Sequence, residues 1–376
     1  MSDDEMSEAE RVAATSETVW DAFTATAKAR PDAPFFCVPA RAGRGYAPEG
    51  FELTYGEAAA KAQALAAQFL AKGYGPGARV ALMLDNRPEH VITQLALYAA
   101  GASRTPVNPD YTDDELSYLL SHSEADLIVA LPHNIDMARR VAGALDRSAC
   151  LFNDLADAPA NAAERSGPTG RGAETELIYT SGTTGRPKGC VIDNDYHFAV
   201  GLWYAGLGGR ISLRQGQERL FVPLPLFHVN AGINTFTAMI LTANCLIMPD
   251  RFHAGTWWRD LAETRATGFH YLGLIPPVLM KRPPEPAETG HNARFGLGAG
   301  VDPQIHQAFE ARFGVPMVEV WGMTETGRFL ADHEEPRRID TRAFGRPRAE
   351  MEARIEDEKG GEAPYGAPGE LVVRCA

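Results

Sequence analysis

The sequence predicts an α/β protein: two doubly wound α/β subdomains packed together, followed by the start of a small β-barrel-like subdomain. Three observations predict it. Short apolar strands alternate with amphipathic helices through most of the chain, the rhythm of a parallel sheet covered on both faces. A small, polar stretch bearing Pro and Gly, near 155–175, interrupts that rhythm as a surface connector does. From Phe344 the pattern becomes β only. The expected divisions are a disordered acidic tail over 1–12, a first α/β subdomain over 13–170, a second over 171–340, and a partial β subdomain over 341–376.

In chain order, Ser16 can cap a helix whose Val19, Trp20, Phe23 and Ala27 share one face. Thr54-Tyr55-Gly56-Glu57 is a capping box opening an alanine-rich helix to about Leu70, and Gly73 to Gly77 is a turn. Val80 to Leu84 reads as a buried strand, and Pro88 opens another helix. Thr105-Pro106-Val107 is a short strand, Thr112-Asp113-Asp114-Glu115 a further capping box, and Leu127 to Leu131 another strand. Beyond the connector, strands are expected near Leu220 to Val222, Cys245 to Met248, His270 to Leu272, Phe295 to Leu297 and Val318 to Val320, with a helix from Pro303. Met351 to Ile355 and Glu370 to Arg374, joined around Gly360-Gly361, read as a hairpin.

Composition excludes several classes. A formal net charge of −13 over 376 residues argues against a nucleic-acid surface, which needs a basic face. The five cysteines are odd in number and form no C-x-x-C pair, which fits a reducing compartment and no zinc site. The N-terminus, MSDDEMSEAE, lacks the apolar core of a signal peptide. The longest apolar stretch, Thr235 to Met248, is too short to span a bilayer. The expectation is a soluble, cytoplasmic protein.

The most telling segment is Tyr179 to Gly189, which carries four aliphatic hydroxyls, three glycines and Lys188 within eleven residues. Glycines let successive backbone N–H groups converge, hydroxyls add neutral donors, and the lysine adds a point charge, a combination that suits a polyphosphate. A Walker loop needs a glycine, four residues, then Gly-Lys-Ser/Thr. Here Gly182 and Gly185 are three apart, and Pro187 and Gly189 flank Lys188, so the Walker class is excluded.

The ordered string Thr180-Ser181-Gly182-Thr183-Thr184-Gly185-Arg186-Pro187-Lys188-Gly189 resembles the phosphate-binding signature of the adenylate-forming (AMP-binding) superfamily. Further segments resemble it in order: Phe51 to Tyr55, Gly101 to Pro109, Pro225-Leu226-Phe227-His228, Trp321-Gly322-Met323-Thr324-Glu325 and Gly369 to Arg374. The stretch around Trp257, Trp258, Ile275-Pro276-Pro277 and Arg282-Pro283-Pro284 is similar to crotonobetaine/carnitine–CoA ligases and related acyl-CoA synthetases. The two tryptophans suit either helix packing, the favoured reading, or cation–π contact with a quaternary ammonium.

That resemblance implies a ligase that joins a small carboxylic acid to CoA through an acyl-adenylate, with ATP and Mg²⁺. It implies that Ser181, Thr183, Thr184 and Lys188 hold the β and γ phosphates, with Gly182 and Gly185 shaping the loop. Glu325 would be the Mg²⁺ ligand, Thr324 would bond the α-phosphate, and His228 would close over the acyl carboxylate. Thr180, Lys188, His228, Thr324 and Glu325 form the expected catalytic set. Gly298, Ala299, Gly300, Trp321, Gly322 and Met323 would line the nucleotide, Trp321 offering an indole where the family has a tyrosine. Phe227, Asn230 and Ala231 would be acyl-pocket wall. No aspartate lies between Leu226 and Ile240, which disfavours an amino-acid substrate.

Two departures stand out. Asp193-Asn194 replaces a usual Thr-His, and Cys190, expected to be buried and inert, replaces a valine. The family's ribose-binding aspartate and its lysine-bearing C-terminal domain have no counterpart before Ala376. The expectation is therefore an impaired core, with a separately supplied C-terminal domain and a homodimer left open as partners. A non-catalytic nucleotide- or acyl-binding fragment and an amino-acid adenylation domain are the alternatives.

Overall fold

The computed structural model describes residues 6–161, 166–180, 185–327, 329–348 and 351–375. The chain runs α1 (Glu8–Thr15), α2 (Val19–Ala29), β1 (Pro34–Val38), β2 (Phe51–Thr54), α3 (Tyr55–Ala71), β3 (Arg79–Met83), α4 (Pro88–Ala100), β4 (Ser103–Pro106) and α5 (Asp113–Ser123). It continues through β5 (Leu127–Ala130), α6 (Ile135–Ala144), β6 (Ser148–Leu151), β7 (Glu174–Thr180), β8 (Lys188–Asp193), α7 (Asn194–Ala205), β9 (Arg219–Phe221), α8 (Phe236–Leu241) and β10 (Cys245–Ile247). The remainder is α9 (Trp257–Glu263), β11 (Gly268–Leu272), α10 (Ile275–Met280), β12 (Gly296–Ala299), α11 (Pro303–Phe313), β13 (Met317–Gly322), β14 (Phe329–Ala331), β15 (Met351–Glu356) and β16 (Glu370–Cys375).

Two large sheets result, ordered β6-β5-β3-β4-β7-β8 and β14-β13-β12-β11-β9-β10-β1-β2. Their interiors are parallel, and antiparallel partners close three edges: β8 on β7, β14 on β13 and β2 on β1. Helices cover both faces of each sheet, as the alternation predicts. α5 and α6 lie on one face of the six-stranded sheet, where Leu116, Leu119 and Ala138 meet Ala81, Met83 and Ile128. α2, α3, α4, α7 and α8 fill the space between the sheets around Phe23, Phe35, Tyr55 and Phe236. α9 to α11 cover the far face of the eight-stranded sheet, with Trp257 and Trp258 buried against Phe269, Phe309 and Phe313. Both tryptophans therefore pack a helix. β15 and β16 pair as a separate two-stranded antiparallel sheet, and among the described residues it closes no barrel.

Three expectations are corrected. The acidic tail is helical from Glu8, because Ser7 and Glu10 form a capping box and Ala9 and Ala13 are buried. The cap of α2 is Thr18 rather than Ser16. Thr18 has Asp21 three residues on to return the bond, whereas Ser16 has Val19 there and donates its hydroxyl back to the Val12 carbonyl instead. Finally, the sheets do not divide the chain at 170. β1 and β2 leave the first half to join β10, and β7 and β8 leave the second half to join β4.

Candidate active site

β7 and β8 form a hairpin at the edge of the six-stranded sheet, with Thr180 opposite Lys188 in the last pair before the glycine-rich loop. The predicted phosphate-binding Ser181, Gly182, Thr183 and Thr184 lie outside the described residues. Lys188 and Gly185 are both exposed. Among the described residues no carboxylate pairs with Lys188. The loop's exit is fastened to α5: the Tyr118 hydroxyl donates to the Pro187 carbonyl at 2.8 Å, and Arg186 lies 5.1 Å over the Tyr118 ring.

The structure brings Thr180 and Glu325 together across 145 residues of chain, the threonine hydroxyl donating to Glu325 Oε1 at 3.1 Å. Glu325 follows β13 and is exposed, while Thr324 beside it is buried. The Thr324 carbonyl accepts from the Tyr196 hydroxyl of α7 at 2.8 Å, which props this turn from below. Trp321, the third residue before Thr324, stacks on Phe344 at 5.8 Å and 28°, so one indole face is already covered. Met323 is 44% exposed beside it.

Gly298 stands in register between Tyr271 of β11 and Glu319 of β13. A Cβ at Gly298 would sit 2.2 Å from the Tyr271 carbonyl oxygen, so only glycine fits that approach. The turn it opens, Gly298-Ala299-Gly300, is held by Glu319, whose carboxylate accepts from Gly300 N at 2.7 Å, Val301 N at 3.2 Å and the Tyr271 hydroxyl at 2.5 Å.

His228 is exposed, its ring 4.6 Å from that of Phe227 and its amide donating to the Pro225 carbonyl. Neighbouring atoms desolvate the imidazole and hold its pKa below the usual histidine value. Asn230 opens a π-helical turn, Asn230–Thr235, and its Oδ1 accepts from His270 Nδ1 at 2.8 Å. Burial holds His270 neutral, pushed down to about 3, and its Nε2 meets the Tyr204 hydroxyl at 2.8 Å. Ala231 is fully buried in the central core, and Phe227 lines a cleft of about 380 Å³ with Tyr46, Asp85, Asn108 and Asp250. Asn230 does not line that cleft.

The two departures acquire explanations. Asp193 caps α7 by accepting from Tyr196 N at 2.8 Å. Asn194 ties the first N–H of α2, at Val19, to the connector carbonyl of Gly170. Cys190 is half-buried, and burial and then the charge of Glu325 push its thiol up, which disfavours the thiolate.

Glu319 and Tyr196 are site residues that sequence reasoning missed. The available signals were a lone acid inside Val318-Glu319-Val320, two residues before Trp321, and a tyrosine one helical turn after the Asp193 cap.

A model of the AMP-binding enzyme family matches residues 23–376. The chain is 31% identical to a sulfoacetate–CoA ligase of Cupriavidus necator over 96% of its own length and 71% of the relative's. It is 30% identical to a crotonobetaine/carnitine–CoA ligase of Citrobacter koseri over 81% of its length and 62% of the relative's. A benzoate CoA ligase from Burkholderia xenovorans LB400 superposes with a TM-score of 0.82 at 21% identity, over 96% of this chain and 71% of that one, and shows the shared fold. The chain belongs to the AMP-binding enzyme family, and the three similar proteins named here are CoA ligases. It spans between about three fifths and three quarters of the length of these proteins.

Proposed function

We propose that this chain is the nucleotide-binding core of an acid–thiol ligase. A carboxylate oxygen attacks the α-phosphorus of ATP, the α–β bridging bond breaks, and pyrophosphate leaves with the electron pair. The sulfur of CoA then attacks the acyl carbon of the adenylate, and AMP leaves. The observation that carries this reading is the Thr180–Glu325 hydrogen bond, which joins the phosphate hairpin to the turn after β13. Both reactants are anions, so the first step needs charge shielding and in-line placement more than it needs a base.

Lys188 and the loop hydroxyls Ser181, Thr183 and Thr184 supply the shielding for the β and γ phosphates, with Thr324 on the α-phosphate. Among the described residues no cluster of three or more His, Cys, Asp or Glu is placed to hold a metal. Mg²⁺ is ordinarily bound by one or two carboxylates together with substrate phosphates, so the single exposed Glu325 fits it. When bound there, Mg²⁺ offsets phosphate charge. The turn Gly298 to Gly300 and the free face of Trp321 form the adenine wall, and His228 with Asn230 stands over the acid. The named relatives use sulfoacetate and crotonobetaine or carnitine, and a small acid is proposed here. No described helix is long and apolar enough to cross a membrane.

Carboxylate-dependent ATP–pyrophosphate exchange over a panel of small acids tests the reading. The chain is assayed alone and with the part of a longer relative that lies outside the matched span. Exchange with at least one acid is expected. ATP binding with no exchange in either arm identifies a binding module instead.

A further inference from the structure

Behind the exposed site the molecule buries a second polar cluster. Arg104 of β4 and Glu176 of β7 form an ion pair, Nη2 to Oε2 at 2.6 Å, with neither side chain exposed. Such a pair is a poor source of stability, because stripping water from both charges costs much of what their attraction returns. What charged hydrogen bonds supply is direction, which apolar contacts lack.

The cluster is a closed ring. Arg104 Nη1 donates to Gln94 Oε1 at 2.9 Å, Gln94 Nε2 donates to the Tyr98 hydroxyl at 2.9 Å, and that hydroxyl donates to Glu176 Oε1. Guanidinium and amide N–H groups can only donate, so the chain of bonds runs one way, from Arg104 through Gln94 and Tyr98 to the Glu176 carboxylate. His90 abuts it: its Nδ1 donates to the Leu84 carbonyl at 3.0 Å, and its Nε2 accepts from Arg104 at 3.0 Å.

Two further bonds leave the ring. Gln94 Nε2 donates to the Gly232 carbonyl at 2.7 Å, and Arg104 Nη1 lies 3.4 Å from the Leu226 carbonyl. Leu226 and Gly232 bound the turn that carries His228 and Asn230. The approach is close: a Cβ at Gly232 would fall 2.1 Å from the Leu226 oxygen and 3.0 Å from Arg104 Nη2. On its other side, Glu176 lies four residues before Thr180 on the strand that enters the phosphate hairpin.

We propose that the Arg104–Gln94–Tyr98–Glu176 ring is a positioning unit that fixes the His228 turn relative to the phosphate hairpin, and so sets where an acid meets ATP. These residues act through the turn and touch no substrate. The catalytic part of the test rests on the ligase reading; the structural part does not.

The test uses the full chain with Gln94→Met, which cuts the bond to Gly232 but keeps the ion pair. The double variant Arg104→Met/Glu176→Met, which removes both charges, guards against a single variant that does not fold. Amide hydrogen exchange, ATP titration and steady-state pyrophosphate exchange are measured on each. The expected result is faster amide exchange confined to about residues 226–235, ATP affinity within about twofold of the native chain, and kcat lowered about tenfold with every active acid. Protection lost evenly along the chain, or unchanged at 226–235, overturns the proposal, as does kcat within about twofold of native. If the native chain shows no turnover with any acid, the ligase reading fails, and the amide exchange pattern alone decides the positioning unit.

Discussion

Strand β7 carries two polar regions that differ in one respect, contact with water. At its end, Thr180 meets Glu325 beside Lys188, all at the surface. Four residues earlier, Glu176 is fully enclosed with Arg104, Gln94 and Tyr98. The exposed groups are few and loosely partnered, because water solvates them until a ligand arrives. The enclosed ones form a closed ring, because an unpartnered group there has nothing to replace water. Arg104 Nε is the exception, a buried N–H without a hydrogen bond. Glutamate stands on both sides of this contrast: Glu325 is exposed beside Thr180, whereas Glu176 is enclosed and paired with Arg104 and Tyr98.

The largest expected effect breaks the dry side. Arg104→Met or Glu176→Gln alone leaves an uncompensated buried charge and should cost about 3–5 kcal/mol in urea denaturation. The charge-free pair Arg104→Met/Glu176→Met should recover most of that loss. Single-variant losses below about 1 kcal/mol would erase the contrast.

Acid provides the next test. Burial, and then Arg104, push His90 and His197 down to about 3, against an ordinary value of 6.5. Between those limits the unfolded chain binds protons that the folded chain refuses, so stability falls as pH drops below about 6.5 and keeps falling toward about 3. The slope should reach at most about 1.4 kcal/mol per pH unit for each histidine. Urea midpoints compared at about pH 7, 5.5 and 4.5 measure it, and a flat profile contradicts the burial of these rings.

The smallest stability effects belong to the wet side. Lys188→Ala and Glu325→Ala should each stay within about 0.5 kcal/mol of the native stability. In calorimetric titration, Lys188→Ala should bind ATP roughly tenfold more weakly, the loss of one charge-assisted contact. Glu325→Ala should weaken the Mg²⁺ dependence of that binding. Unchanged titrations would remove both from the site.

Much of the wet side was legible in the sequence because it is written in consecutive residues. Gly182, Gly185 and Lys188 have a spacing that excludes a Walker loop before any contact is known, and Trp321 to Glu325 is likewise local. Capping boxes at Thr54 and Thr112 were legible for the same reason, since cap and partner are three residues apart. Glu319 escaped notice because its partners, Gly300 N and Val301 N, are on another strand's turn. The Arg104–Glu176 ring escaped because a charged residue in a short strand looks, in one dimension, like an ordinary exposed position.

By itself the sequence determined the alternation of strands and helices, the exclusion of a Walker loop and the family whose motifs it carries. Those follow from local sterics, hydrogen bonding within a few residues, and apolar periodicity. Only the tertiary structure decided that β1 and β2 pair with β10, that β7 and β8 pair with β4, that Thr180 reaches Glu325, and that one ring ties the hairpin strand to the His228 turn. The physical reason is that periodicity states which face of an element is apolar, whereas partners are chosen when whole layers close and every buried donor must find an acceptor.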